Sequence, residues 1–126
     1  MSGRRTKRGE HMIEKVVIDY LNTDSVPAYA ERPEVEPAKP YLLIEKTGST
    51  LVNHIASATI AVQSWAQTLA EAADLNEEVK AAMEGITDLD AIASCRLNSD
   101  YNFTSTALKA YRYQAVFTIT YYEEET

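Results

Sequence analysis

The side chains that could do chemistry in this chain are few and scattered. Its histidines are His11 and His54, and its single cysteine is Cys95. A thiol activated by an imidazole is the simplest nucleophile–base pair they could form, if the fold brought Cys95 to His54. However, Ala93, Cys95 and Leu97 alternate with Ser94, Arg96 and Asn98. That pattern puts Cys95 on the apolar side of a strand, where cysteine behaves as a small inert hydrophobe. One cysteine and two distant histidines give no metal-ligand spacing. Thr47-Gly48-Ser49-Thr50 shares glycine and hydroxyls with a phosphate-binding loop but lacks the second glycine and the lysine. Glu71, Asp74, Glu77 and Glu78 fall together on one helix face, the pattern of a solvated surface. No catalytic, cofactor-binding or metal-ligating residue is therefore expected, and an enzyme would need a nucleophile–base pair beyond Cys95 and His54.

The aromatic residues say more. Eight tyrosines stand against two phenylalanines and one tryptophan. Tyr29, Tyr101, Tyr111 and Tyr122 lie in loops or on the polar side of a strand, where a core does not require them. Tyrosine is favoured where an apolar body meets water, as at protein–protein interfaces; covering a sheet edge is the plainer role.

The elements that must position these residues are organised by residues 54–84. In His54–Ser64, Ala56, Ala58, Ile60 and Val62 alternate with Ser57, Thr59 and Gln63, the period of a strand with one buried face. From Trp65 onward Leu69, Ala72, Val79 and Met83 follow helical spacing, with Ser64 as the N-cap and Gly85 suited to a left-handed C-terminal turn. On this reading Trp65 opens the helix stripe and belongs to the core. Before this unit, Ile13, Val16, Val17, Tyr20 and Leu21 form one helical stripe. All four prolines then lie within residues 26–40, which predicts an extended connection with at most a short edge strand at Val26–Ala30. Tyr41–Lys46 reads as a strand closed by a Thr47-Gly48-Ser49 turn. After Gly85 come the Ala93–Leu97 strand, a polar loop or short helix over 99–110, and a last strand with Tyr113, Ala115, Phe117, Ile119 and Tyr121 on its apolar side. The expected class is α+β: a mostly antiparallel sheet of four to five strands with two main helices packed on one face.

At 126 residues the chain makes one domain, and no apolar run is long enough to cross a membrane as a helix. Charge divides unevenly. Arg4, Arg5, Lys7 and Arg8 give residues 1–11 a basic character, whereas from Met12 onward eight basic and eighteen acidic residues leave −10. An acidic body disfavours a nucleic-acid binder, which needs a basic surface to displace counterions. Residues 1–11 read as a disordered basic arm, or as an upstream extension or tag, since Arg8-Gly9-Glu10-His11 back-translates to a purine-rich run ahead of the Met12 codon. They lack the apolar core of a signal peptide, so a cytosolic product is expected. Residues 12–126 are the single domain.

Several words of the sequence occur in a telling order. A short helix precedes Val26-Pro27-Ala28-Tyr29 and Arg32-Pro33. Tyr41-Leu42-Leu43-Ile44-Glu45-Lys46-Thr47-Gly48 comes next, then Ile60-Ala61-Val62-Gln63-Ser64-Trp65-Ala66 and Glu71-Ala72-Ala73-Asp74-Leu75. Tyr101-Asn102-Phe103 and Tyr111-Arg112-Tyr113-Gln114 close the series. In this order, across about Met12 to Tyr122, the chain resembles the tail-terminator (tail completion, minor tail protein U-like) family of long-tailed bacteriophages. It departs from the family at Phe103-Thr104-Ser105-Thr106, where a Pro-Asp pair is expected.

The resemblance implies a structural virion protein without catalysis. It would form a homo-oligomeric ring, typically a hexamer, that caps the tail tube protein and stops its polymerisation. The ring would then join the head completion or connector protein, at the head–tail interface of a particle assembled in the host cytoplasm. DNA would pass through without specific binding, and an acidic lining would repel it. A closing ring needs two different complementary patches per subunit. The acidic helix face requires a basic counterpart, for which Arg32, Lys39, Arg96, Lys109 and Arg112 are the available cations. Tyr29, Arg32, Lys39, Tyr101, Phe103 and Tyr111 are the expected interface residues, in the proline-rich and 101–111 loops. A small α+β ligand-binding or regulatory domain without catalysis is the alternative, and it should show a pocket with convergent polar groups.

Because a short, charged, glycine-containing arm buries little, deleting residues 1–11 should leave the melting temperature within about 2 °C. Calorimetry checks this; a drop several times larger would mean that the arm packs on the body.

Overall fold

The alternation that begins at Ala56 is realised as the central strand of the fold. The computed structural model describes residues 13–35, 37, 40–107 and 110–122. In chain order these form helix α1 over residues 13–21, strands β1 (Ala28–Tyr29), β2 (Tyr41–Val52) and β3 (Ile55–Ala66), and helix α2 (Leu69–Glu84). A 3-10 turn (Ile86–Asp88) leads to β4 (Ile92–Asn102) and β5 (Tyr111–Tyr122). The strands make one five-stranded sheet in the order β1-β2-β3-β5-β4. β1 lies parallel to β2, and every other pair is antiparallel.

One face of the sheet carries both helices. Ile13, Val17 and Leu21 of α1 and Leu75, Val79 and Met83 of α2 are buried in one cluster with Ile44, Ile60, Val62, Phe117 and Ile119. This is the expected α+β architecture, and β5 has the expected register, with Ala115, Phe117, Ile119 and Tyr121 buried. The short edge strand expected in Val26–Ala30 is β1. Asn22 fastens it: the α1 end closes with Asn22 N–H donating to the Ile18 carbonyl at 2.9 Å, while Asn22 Oδ1 accepts from Ala28 N–H at 2.8 Å.

The boundary between strand and helix lies elsewhere than the spacing of Trp65 suggested. β3 continues through Ala66, so Trp65 is a strand residue facing away from the helices, and Ser64 is not a cap. The N-cap is Thr68, whose hydroxyl accepts from Glu71 N–H at 3.1 Å. Thr68-Leu69-Ala70-Glu71 has the Thr-x-x-Glu order of a capping box, which competes better for a helix start than a serine inside a paired ladder. Gly85 also departs from expectation. It adopts φ −91°, not a left-handed turn. Its lack of a side chain serves packing instead: a Cβ there would sit 3.0 Å from the Tyr20 hydroxyl, which donates to the Ala82 carbonyl at 2.6 Å and pins α1 to α2.

Two further boundaries are corrected. Thr47-Gly48-Ser49 is no turn. β2 absorbs it with a register shift between Lys46 and Gly48 and runs on to Val52, where Asn53 (φ 53°) and His54 (φ 67°) make the hairpin turn. Two consecutive left-handed residues match the twist of paired strands, and asparagine tolerates that conformation better than most. Residues 99–102 are not loop either, but the end of β4, held by pairing to Val116–Tyr113 of β5.

Phe117 is buried in the helix-covered core, whereas Thr118 faces the other side and accepts a hydrogen bond from Asn98 at 2.6 Å. Phe117→Ala should therefore cost about 3–5 kcal/mol in denaturant unfolding and Thr118→Ala less than about 1 kcal/mol. Equal costs would contradict this register.

Candidate interaction site

The face of the sheet without helices has its own small core. Tyr41 of β2, Trp65 of β3 and Arg112 of β5 lie side by side in register. Tyr41 stacks on Trp65 with centroids 5.4 Å apart and 13° between planes, and both are fully buried together with Ala110. Trp65 Nε1–H donates to Gln63 Oε1 at 3.0 Å, and Gln63 Nε2 donates to Gln114 Oε1 at 3.1 Å. Tyr29 meets Tyr41 edge to face at 5.9 Å.

Two guanidinium groups complete the cover. Arg32, from the proline-rich connection, sits 4.9 Å from the Trp65 ring and Arg112 sits 4.8 Å from it. Arg112 also lies 4.4 Å from the Phe103 ring, and its Nε–H donates to the Phe103 carbonyl at 2.7 Å. Burial, and then the nearby charge of Arg32, push the Arg112 pKa below its ordinary value. Phe103 in turn meets Tyr101 edge to face at 6.0 Å, and the Tyr101 hydroxyl accepts from Gln114 Nε2. The loop at which the chain departs from the resembled family is held by its own hydroxyls. Thr104 Oγ1 bonds both the N–H and the carbonyl of Arg112, and Ser105 pairs with Ala110.

Of the expected interface residues, Tyr29, Arg32, Tyr101 and Phe103 thus come together around Trp65. Tyr111 does not: its register partner is Ala66, on the helix side. Lys39 lies outside the described residues. Trp65, Tyr41 and Arg112 are the centre of the site; Arg112 was expected only as an available cation, and the two aromatics were not expected in it. The signal for Trp65 was the strand period itself, because Gln63 and Trp65 share one face once the alternation is followed two residues further. The tyrosine expected at a strand end, Tyr122, is exposed at the far end of the sheet with Leu51, Val52 and Ile55.

The helix layer has the opposite character. Glu71, Asp74 and Glu78 line a groove of about 370 Å³ together with Val26, Pro40, Gln67 and Leu75. All three carboxylates are exposed. Lys80 is tied to Glu77 at 2.8 Å and to Asp100 at 3.1 Å, bonds that raise its pKa. Cys95 faces the helix side from mid-β4, while His54 is in the β2–β3 turn and β5 lies between their strands. Burial raises the Cys95 thiol to about 11. Among the described residues no group of three His, Cys, Asp or Glu side chains could hold a metal ion, and no helix is long and apolar enough to cross a membrane.

No protein-family model matches the chain, and none of the curated proteins does.

Chemically, the site offers planar, permanently charged donors fixed over a rigid aromatic floor. That arrangement suits bidentate recognition of a carboxylate, and tryptophan, tyrosine and arginine are the residues that dominate protein–protein binding energy. Trp65 is the chain's sole tryptophan and reports the site directly. Arg112→Ala should red-shift its fluorescence and lower stability by about 1–2 kcal/mol, through the lost cation–π contacts and aliphatic cover. Unchanged emission would show that Arg112 does not cover the ring.

Proposed function

We propose that this chain is a tail terminator of a long-tailed bacteriophage, a non-enzymatic virion protein that assembles as a ring on the finished tail tube. One observation carries the reading. The words on which the resemblance rests are spread over some ninety residues, yet Arg32, Tyr41, Trp65, Tyr101, Phe103 and Arg112, one or two from each of five words, converge on a single cluster at one end of the sheet. The same words also supply Ile44, Ile60, Val62 and Leu75 to the helix-covered core; what supports a docking role is that this cluster gathers arginine, tyrosine and tryptophan, the residue types that dominate protein–protein binding energy. In this reading the ring stops polymerisation of the tube protein, receives the head connector, and lets DNA pass without gripping it. The expected stoichiometry is six.

A non-catalytic ligand-binding domain draws its support from the acidic groove. Its polar side chains, Gln67 and three carboxylates, are all exposed, whereas a small-molecule site needs a few buried polar groups of fixed geometry. The terminator reading is tested by electron microscopy of tubes polymerised from phage tail-tube proteins with and without this chain. Capped tubes of limited length are expected. Tubes of unchanged length, together with no binding to a head-connector protein, would overturn it in favour of the ligand-binding reading.

A further inference from the structure

The outer side of β2 is covered over only half its length. β1 pairs with it at Leu42 and Leu43, and Lys46 N–H donates to Glu14 Oε2 of α1 at 3.3 Å. Beyond that point Thr47–Val52 are all exposed, and among the described residues no strand pairs with their outer side. Alternate residues of an antiparallel ladder turn their backbone groups away from the partner strand. Val52 and Ile55 flank the two-residue turn and face one another, so Leu51 and Ser49 point their N–H and C=O outward. Apart from the register shift at its start, this edge has no device against pairing. From Thr47 to Ser64 there is no Lys, Arg, Asp, Glu or Pro, and Leu51 and Val52 are exposed.

Helix α1 leads to this edge. Its first turn is held beside Lys46 by Glu14, and its end lies beside Leu42, because Asn22 accepts from Ala28 N–H and Ala28 is paired with Leu42. The helix therefore runs along β2 in the opposite sense. The lengths agree: about 12 Å of helix from Glu14 to Asn22 against about 13 Å of strand from Lys46 to Leu42. Followed backward past Ile13, the chain heads along Thr47–Val52. Twelve residues of the sequence precede Ile13, and six in extended form span about 20 Å, the length of the uncovered edge.

From this we infer that the segment before Ile13, chiefly residues 6–12, adds to the Thr47–Val52 edge of its own copy as a strand antiparallel to β2, in line with β1. Thr6-Lys7-Arg8-Gly9-Glu10-His11-Met12 contains no proline, so each residue keeps a ladder donor. Lys7, Arg8 and Glu10 then stand on the new outer strand. Charged side chains are how natural sheets discourage further pairing, so the segment replaces an uncharged edge with a guarded one. The contact consists of backbone bonds and polar side chains, which bury little apolar surface and change melting little. It is independent of the ring reading.

Amide hydrogen exchange, followed residue by residue by NMR, tests this on three full-length proteins: wild type, Lys7→Pro/Arg8→Pro and Lys7→Gln/Arg8→Gln. Two consecutive prolines remove a ladder donor whichever of the two residues faces β2, whereas the glutamines remove the same charges and keep both N–H groups. The Ser49 and Leu51 amides should exchange about three-fold faster in the proline variant than in wild type, and the glutamine variant should keep the wild-type rates. Amide resonances should shift at residues 47–52 in the proline variant and stay in place in β4 at the opposite edge. Equal rates in wild type and the proline variant would overturn the contact, as would a glutamine variant that behaves like the proline one. Protection of Ser49 and Leu51 that rises with protein concentration would assign the edge to a second copy and overturn the segment as its occupant.

Discussion

The fold depends on β3 having both of its ladders filled. It pairs with β2 from Ile55 to Trp65 and with β5 from Ile55 to Ala66. With a strand on each side, the side chains of both its faces must find cover, and Ile60 through Ala66 are buried without exception. On the helix side that cover is ordinary: Ala56, Ala58, Ile60 and Val62 meet the apolar stripes of α1 and α2. Among the described residues no helix lies on the other side. Trp65 is buried there by the neighbouring strands' Tyr41 and Arg112 and by Arg32 from a proline-rich connection. A guanidinium is a workable lid over an aromatic ring, since its flat face loses little hydration on stacking and its edges stay in water, for about 0.5–2 kcal/mol per contact.

That solution has a functional side. Covering the ring with arginines rather than a leucine or a helix leaves charged, planar donors at the surface above a rigid floor. The same residues that close the minor core are of the types that dominate protein–protein binding energy. The cost is that the Arg112 guanidinium is partly buried and lies near Arg32, and burial first and that like charge second lower its pKa.

The sheet's outer strands are managed differently at its two edges. β1 pairs only with Leu42 and Leu43 of β2, and beyond it Glu14 of α1 accepts from Lys46 N–H at 3.3 Å beside the β2 register shift. β4 is almost wholly exposed, and its pairing is interrupted twice, between Ile92 and Ser94 and between Leu97 and Ser99. Such irregularities twist an edge away from straight pairing with another chain.

Local sequence determined much of this protein. Alternation set the faces of β3 and β5, the Ile13–Leu21 stripe set α1, and the proline-rich composition after Ser25 limited the connection to the edge strand β1 among the described residues. The capping box at Thr68–Glu71 and the asparagine at the hairpin turn were also present to be read. They were obscured by a tryptophan at helical spacing from Leu69 and by a Thr-Gly-Ser run with turn composition. In both places long-range pairing decided the outcome: a ladder filled on both sides extends a strand past residues that are locally indifferent, and a bulge lets Gly48 stay within it. The acidity of α2 was legible as a surface, as was the surplus of tyrosines. Which of them meet was not, because Arg32, Tyr41, Trp65, Phe103 and Arg112 are neighbours only through strand order and register. Those are fixed by the packing of the whole sheet, and no local pattern encodes them.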